Sequence, residues 1–356
     1  MTLRAAVCAA GLLVAQAASG QDVNDEVKHP SLRLGAVRLE LLARVQMDAR
    51  ASRNDDARRE DEGDGVDIAK KRITTRGRVA RVAAFEIEAE LQSDDPWRDV
   101  YLEYRQFRAV RVRAGHFKTP FSLDYTTSSA NLDFLDRARV TERLSAGRDQ
   151  GVMAHGRVWR DRLKYEVGAF EDGRMTAVRL TSRPWGARRS AAGRLAAAVA
   201  FTRGTLDERR VDSIWVNGTR QRTGLELRWQ PGPFTVTSEY MRAADERRGQ
   251  GMAGEDLAPL VRTGWYLTGT WTMAGGNRPN VELAARAEGL RVGSGGPDAS
   301  LSPRAPVVAS RAERAVTLGV NWYVVPRAKL QVNGVRARVG TSRATWMPLV
   351  RLQVTL

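Results

Sequence analysis

Basic side chains able to bind an oxyanion are concentrated between positions 111 and 148. Seven of them stand in this stretch: Arg111, Arg113, Lys118, Arg137, Arg139, Arg143 and Arg148. The planar guanidinium group of arginine makes paired, charge-assisted hydrogen bonds to two oxygens of a phosphate or carboxylate group. Each such bond contributes about 1.5–3 kcal/mol net. We therefore predict that these seven residues bind small anions.

Structural ion pairing is the alternative role for these arginines. Eight glutamates share the polar faces of the predicted strands: Glu40, Glu86, Glu88, Glu90, Glu103, Glu166, Glu226 and Glu282. Cross-strand Arg–Glu pairs stabilise a sheet without selecting a ligand. The high arginine content, 51 residues against six lysines, is also typical of a particular genomic base composition.

Other kinds of chemistry find little support. The histidines (His29, His116 and His155) are too scattered to form a metal site, and the spacing of the acidic run at 55–64 does not match a calcium-binding loop. Cys8 is the only cysteine, so the chain has no disulfide. We predict no catalytic residue, no metal site and no cofactor.

Charge and composition narrow the class of partner. The chain has 356 residues with 57 Lys and Arg against 41 Asp and Glu, a net charge of +16. An anionic partner is therefore favoured over a cationic one. The longest apolar run, at 5–15, is too short for a transmembrane helix.

The first twenty residues predict an export signal. A basic N-terminal region is followed by an apolar stretch and by small residues typical of a cleavage site. We expect cleavage after Gly20, with cleavage after Ala17 as the alternative. We expect residues 1–20 to be a signal peptide and 21–356 to form one exported domain. Export argues against a nucleic-acid-binding protein, although the positive charge alone would fit one.

Period-two alternation recurs throughout the rest of the chain. In one example, Phe85, Ile87 and Ala89 alternate with glutamates, which gives a strand one apolar and one polar face. We predict sixteen strands, at 32–48, 71–79, 83–91, 99–106, 109–117, 151–159, 163–170, 175–183, 193–203, 222–230, 234–242, 263–273, 280–289, 313–324, 328–338 and 347–356. A soluble antiparallel sheet shows the same pattern, but export and charged polar faces favour an outer-membrane barrel.

The elements between the strands support this interpretation. Short turns alternate with long connections at 49–70, 118–150, 204–221, 243–262 and 290–312. Eight tryptophans are expected at strand ends or on outward faces, where aromatic girdles form: Trp97, Trp159, Trp185, Trp229, Trp265, Trp271, Trp322 and Trp346. Cross-strand packing is the other role open to them.

Three motifs resemble a known family. The run Gly115-His116-Phe117-Lys118-Thr119-Pro120-Phe121-Ser122, the later Gly147-Arg148-Asp149-Gln150-Gly151-Val152, and Asn321-Trp322-Tyr323 with the last strands resemble the phosphate-selective porins, type O and P. This resemblance implies a 16-stranded antiparallel transmembrane barrel whose third loop, 118–150, folds inward. It also implies passive transport of phosphate or related small anions and a homotrimer.

We therefore expect a porin of the cell outer membrane, surrounded by lipid and lipopolysaccharide. The alternative is a non-conducting barrel that acts as a scaffold or adhesin. We expect anion selectivity because Arg111, Arg113, Arg137, Arg139 and Arg143 would place uncompensated positive charge at the narrowest part of the pore.

Overall fold

The computed structural model describes residues 30–51, 65–185, 193–273, 280–295, 308 and 310–356. The predicted signal peptide and the acidic run at 55–64 lie outside the described residues.

Antiparallel strands make up nearly all of the described chain. They are β1 (Ser31–Leu34), β2 (Val37–Arg50), β3 (Gly65–Val79), β4 (Ala83–Glu90), β5 (Trp97–Tyr104), β6 (Arg111–Lys118), β7 (Arg148–Val158), β8 (Leu163–Phe170), β9 (Met175–Ser182), β10 (Arg194–Val211), β11 (Ile214–Gln230), β12 (Phe234–Arg247), β13 (Leu257–Met273), β14 (Asn280–Ser294), β15 (Arg311–Val325), β16 (Ala328–Val339) and β17 (Thr345–Thr355).

Strands β2–β17 form a closed ring. Each strand pairs with the next along the chain, and β17 pairs with β2 to close the barrel. The short β1 pairs with the first residues of β2. The later residues of β2 pair along the same edge with β17. The sixteen-stranded antiparallel barrel predicted from the alternation is therefore confirmed, including the division between β3 and β4.

The two faces of each strand have different environments. On β13, Trp265, Leu267 and Trp271 point outward and are 43–48% exposed, whereas Tyr266 and Thr268 point inward and are buried. All eight tryptophans expected at strand ends or outward faces are exposed. The barrel thus has an apolar outer surface and a polar lumen.

No helix among the described residues is long and apolar enough to cross a membrane.

Several predicted boundaries are wrong. The strand predicted at 32–48 is broken by a turn at Gly35, whose φ of +60° suits glycine. The connections predicted at 204–221 and 243–262 are mostly strand, because the β10–β11 pair continues to Val211 and Ile214 and the β12–β13 pair continues to Arg247 and Leu257. Alternation does not reveal this extension, because the apolar residues of the hairpin end, Leu206, Ile214 and Val216, are buried on its inner face. The large apolar side chains further along the same two strands lie on the outer face.

The loop between β6 and β7 (119–147) folds into the barrel, as predicted. It contains two short helices, α1 (Leu123–Thr126) and α2 (Arg139–Leu144). Its two ends are joined, because the backbone N–H of Thr119 donates to the carbonyl of Gly147 at 3.0 Å.

Acidic side chains of the barrel wall accept hydrogen bonds from this loop. The carboxylate of Glu239 accepts from the backbone N–H groups of Leu123 and Asp124 at 3.0 and 2.7 Å. The carboxylate of Glu288 accepts from the backbone N–H of Arg139 at 2.6 Å. These carboxylates satisfy donors at the starts of α1 and α2 that have no partner within the helices.

Amide and ammonium side chains of the same wall bind the middle of the loop. Lys329 Nζ donates to two loop carbonyls, both at 3.1 Å. Asn333 Oδ1 accepts from the backbone N–H of Leu135 at 2.8 Å, and Asn321 Nδ2 donates to the carbonyl of Asp133 at 2.8 Å. These three wall residues are buried.

Apolar packing completes the attachment. Leu135 packs with Ala315, Val335, Ala337, Met347 and Leu349. Phe121, Ala138, Val140 and Leu144 pack with Ala200, Met241, Ala243, Tyr266 and Leu290. The loop therefore covers the inner wall formed by β12–β17. Ala146, near the end of the loop, packs against side chains of β6–β9, but most of the inner faces of β3–β9 remain uncovered.

Replacing Asn321 and Asn333 together by leucine tests this attachment. Each change removes a hydrogen bond worth about 0.5–1.5 kcal/mol and leaves a loop group unpaired, without altering charge. We expect larger and noisier single-channel conductance than in Thr181→Val, a matched change on the uncovered wall. Conductance equal to that of the unmodified protein would contradict the proposed attachment.

Candidate anion channel

A cavity of about 710 Å³ lies between the inward loop and the inner faces of β3–β11. The loop contributes five residues to its lining: Pro120, Leu123, Thr126, Thr127 and Ser128. The barrel wall contributes the remaining lining residues. The loop thus narrows the lumen from one side, and the remaining passage follows the opposite wall.

Basic residues outnumber acidic residues two to one in this lining. The twelve basic residues are Arg72, Arg76, Arg108, Arg111, Arg113, Lys118, Arg148, Arg157, Lys164, Arg179, Arg183 and Arg228. The six acidic residues are Glu86, Glu88, Asp99, Glu103, Glu166 and Glu226. A cleft with one sign of charge and low-dielectric walls concentrates counter-ions. The cavity therefore favours anions.

Cross-strand ion pairs neutralise part of this charge. Arg179 lies 2.5 Å from Glu226, and Arg72 lies 2.7 Å from Glu90. These four side chains are buried in the wall. The structural role considered for wall arginines is confirmed for these two pairs.

Four of the seven sequence-predicted residues line the cavity: Arg111, Arg113, Lys118 and Arg148. The guanidinium carbon of Arg113 lies 3.9 Å from the centre of the Tyr101 ring, and its Nη2 lies 2.6 Å from Glu103. The charge of Arg113 is therefore held in place and largely compensated.

Lys118 and Arg148 lie toward the loop end of the cavity. Arg148 Nη2 lies 2.9 Å from Asp99, and Lys118 Nζ donates to the carbonyl of Thr127 at 3.0 Å. Lys118 thus ties the loop to the end of β6 beside the passage.

The other three predicted residues, on the loop, do not line the cavity. Each has a carboxylate neighbour: Arg137 has Asp124 at 3.6 Å, Arg139 has Glu313 at 3.8 Å, and Arg143 has Asp212 at 3.1 Å. The expectation that these arginines and Arg113 carry uncompensated charge is wrong. Folding the loop inward places Arg139 and Arg143 near acidic side chains of the wall, which the sequence pattern does not show.

Three other arginines of the lining have no ion pair among the described residues. They are Arg111 on β6, Arg157 on β7 and Arg183 just after β9. The Nε of Arg111 is buried without a hydrogen-bond partner. All three lie at the end of the barrel where the connections are short, opposite to the end from which the inward loop enters.

Burial affects the charged groups outside the strands. It lowers the pKa of Arg183, and the Arg157 guanidinium lowers it further. Burial also lowers the pKa of Arg137, although Asp124 opposes this. Arg157 and Arg183 line the same end of the cavity, because Lys164 on β8 lies opposite Arg157 on one side and opposite Thr181, two residues before Arg183, on the other.

Arg157 and Arg183 are functional candidates that the motif analysis missed. Arg157 lies two residues after the inward-facing His155 on β7, and Arg183 follows Arg179 and Thr181 in the same phase. The period-two alternation could have placed both side chains in the lumen.

Three carboxylates of the lining, those of Glu86, Glu88 and Asp99, lie close enough together to suggest a cation site. Arg76 lies 3.1 Å from Glu86, and Arg148 lies 2.9 Å from Asp99. Because arginines already pair with this group, it forms part of the ion-pair network of the wall.

A closed barrel of this size, with an inward loop and a charged passage beside it, defines a porin. The model of the family "phosphate-selective porin O and P" matches residues 39–205 and 204–342, so the chain belongs to that family. The resemblance seen in the motifs is thereby confirmed. No curated protein matches the chain significantly.

Solved structures show the same fold at low sequence identity. An anion-selective porin from Comamonas acidovorans matches with a TM-score of 0.64 and 13% identity, over 90% of this chain and 100% of that chain. Outer-membrane expressed OmpT of Vibrio cholerae matches with a TM-score of 0.66 and 11% identity, over 92% and 100%. In-vitro folded OmpT in a trimer form matches with a TM-score of 0.63 and 12% identity, over 90% and 100%.

Replacing Glu103 by glutamine tests the charge balance of the passage. The substitution removes one negative charge beside Arg113 and His155 while keeping the side-chain shape. We expect a higher chloride-to-potassium permeability ratio. Glu40→Gln, which changes a carboxylate outside the cavity, is the matched control, and an equal shift in both variants would contradict the assignment.

Proposed function

We propose that this outer-membrane channel allows passive diffusion of small anions, with phosphate and related oxyanions as substrates and without catalysis. The observation that carries the proposal is the set of three arginines, Arg111, Arg157 and Arg183, that line the passage and have no ion pair within the described part of the chain. Family membership and the anion-selective neighbour support the same function.

The order of charges along the passage supports movement of anions through it. Lys118 and Arg148 lie at the loop end of β6 and β7, whereas Arg111 and Arg157 lie at the other end of the same strands. An anion leaving the first pair meets the second within the length of one strand. Several moderate sites in sequence permit conduction, because one very strong site would retain the ion.

Arginine chemistry supports oxyanions as the preferred class. A tetrahedral phosphate offers several oxygens, and two adjacent guanidinium groups can bind them in pairs. Arg157 and Arg183 line the same end of the passage, on the two strands that flank β8, and have no ion pair among the described residues. Chloride, as a single atom, cannot use this geometry.

Two matched triple variants test which arginines select the ion. In one, Arg111, Arg157 and Arg183 become glutamine; in the other, Arg137, Arg139 and Arg143 do. We expect the first to shift the zero-current potential in a salt gradient strongly toward cation selectivity, since it removes three positive charges that have no ion pair among the described residues. We expect the second to shift it less. The reverse order would show that the loop arginines select the ion.

The same variants test the oxyanion preference. Millimolar phosphate is expected to reduce chloride current in the unmodified protein and in the loop triple variant, and to lose this effect in the wall triple variant. Chloride current that is insensitive to phosphate in all three proteins would leave a general anion pore.

We propose further that the channel is a homotrimer whose contact face is formed by β4–β9. Of these six strands, β4, β5, β6, β8 and β9 have only eight residues each, whereas β10–β15 have 14 to 18. An eight-residue strand tilted by about 40° rises about 20 Å, less than the roughly 25 Å apolar band of such barrels. A neighbouring subunit would cover this short wall, and the trimer form of OmpT supports the assembly.

Replacing Ala154 by tryptophan tests this face. Ala154 lies on the outward side of β7, and a large side chain there would prevent close packing between subunits. We expect the variant to run as a monomer in light scattering, whereas Ala285→Trp on the outward side of β14 remains a trimer. A monomeric unmodified protein, or a trimeric Ala154→Trp variant, would contradict the assignment.

A further inference from the structure

Four outward-facing arginines interrupt an otherwise uncharged surface. On the outward faces of the described residues in β13–β17, the only charged side chains are Arg291, Arg314, Arg336 and Arg338, and all four are exposed. No acidic side chain shares this surface within those strands. We call these four residues the outer arginine patch.

The strand register brings the patch together. Arg314 on β15 lies directly opposite Arg338 on β16. Arg336 is two residues from Arg338, and Arg291 is two residues from Gly289, which lies opposite Arg314. Directly opposed and diagonal neighbours in a sheet lie within reach of long side chains. The four guanidinium groups can therefore surround one ligand.

Like charges directly opposite each other destabilise a sheet. None of the four arginines has an ion pair among the described residues. The guanidinium group of Arg336 lies over the ring of Trp346, 5.9 Å from its centre. An anion that binds between Arg314 and Arg338 would relieve this repulsion. A bound negative ligand would therefore neutralise the positive charge of the patch.

Position along the strands indicates where this ligand lies. The patch is near the ends of β14 and β16 and the start of β15, at the end of the barrel where the long connections are. In outer-membrane barrels this end faces the outside of the cell. Arginine near a membrane interface is tolerated far better than at mid-membrane. The patch therefore lies at headgroup depth in the outer leaflet.

An apolar depression of about 590 Å³ begins below the patch on the same surface. Leu318 on β15 and Gly334 and Val332 on β16 line it, on the same outward faces as Arg314 and Arg336 but nearer the other end of the barrel. The small residues Gly269 and Ala285 also belong to its lining. Small side chains between Trp271 and Leu318 leave room for hydrocarbon chains. The positive patch could bind the phosphate group of a lipid, and the apolar depression below it could bind the acyl chains.

We infer that the outer arginine patch binds the phosphate groups of lipopolysaccharide, with acyl chains of its lipid A part in the depression below. Ordinary phospholipids offer one phosphate group, whereas four clustered arginines match the two phosphates of lipid A. The inference rests on the outer-membrane location of the proposed function but not on conduction, so the two can fail separately.

Lipid binding to the detergent-solubilised protein, measured by native mass spectrometry, tests the inference. The probes are bisphosphorylated lipid A, dephosphorylated lipid A and phosphatidylglycerol. The variant changes Arg314 and Arg338 to glutamine, and the matched control changes Arg203 and Arg242, two exposed outward-facing arginines on β10 and β12. We expect about tenfold weaker binding of bisphosphorylated lipid A in the variant and little change in the control.

Several results would overturn the inference. One is that dephosphorylated lipid A binds as tightly as bisphosphorylated lipid A. Another is that the variant and the control lose the same amount of lipid A binding. A third is that millimolar inorganic phosphate displaces lipid A, which would indicate a site for the free ion. Loss of the trimer in the Arg314 and Arg338 variant would instead assign the patch to a subunit contact. Unchanged conductance in this variant confirms that the barrel is intact.

Discussion

The position of the passage depends on how a 29-residue loop satisfies its backbone polar groups inside the barrel. A loop buried without partners would leave N–H and carbonyl groups unpaired at high cost in free energy. Here the partners are side chains of one half of the barrel wall, with Glu239, Lys329 and Asn333 at its centre. Because these partners occupy one side only, the loop lies against that side and the passage follows the other.

This attachment also determines the charge of the passage. The carboxylates that bind the loop lie on the covered side, where they meet its backbone and its arginines. The uncovered wall keeps its own Arg–Glu pairs and three further arginines without such a pair among the described residues. The excess positive charge therefore results from the loop position as well as from composition. A loop held at the opposite wall would cover Arg111 and Arg157.

Period-two alternation was sufficient to predict the sixteen strands, because each must present an apolar face to lipid and a polar face to water. Motifs at the two ends of the loop predicted its inward fold only through family resemblance. The pairing of individual charges was beyond prediction. Whether Arg143 meets Asp212 or Arg113 meets Glu103 depends on loop position and strand register, and neither follows from alternation within one strand.

The most direct test of the account is the zero-current potential of the unmodified protein in a planar bilayer with a KCl gradient. We expect a steady current and a potential with the sign of the chloride equilibrium potential, because basic residues outnumber acidic ones in the passage and three of its arginines have no ion pair in the described ranges. A potential with the sign for potassium would contradict the charge assignment. The absence of current would contradict the channel itself and indicate a non-conducting barrel.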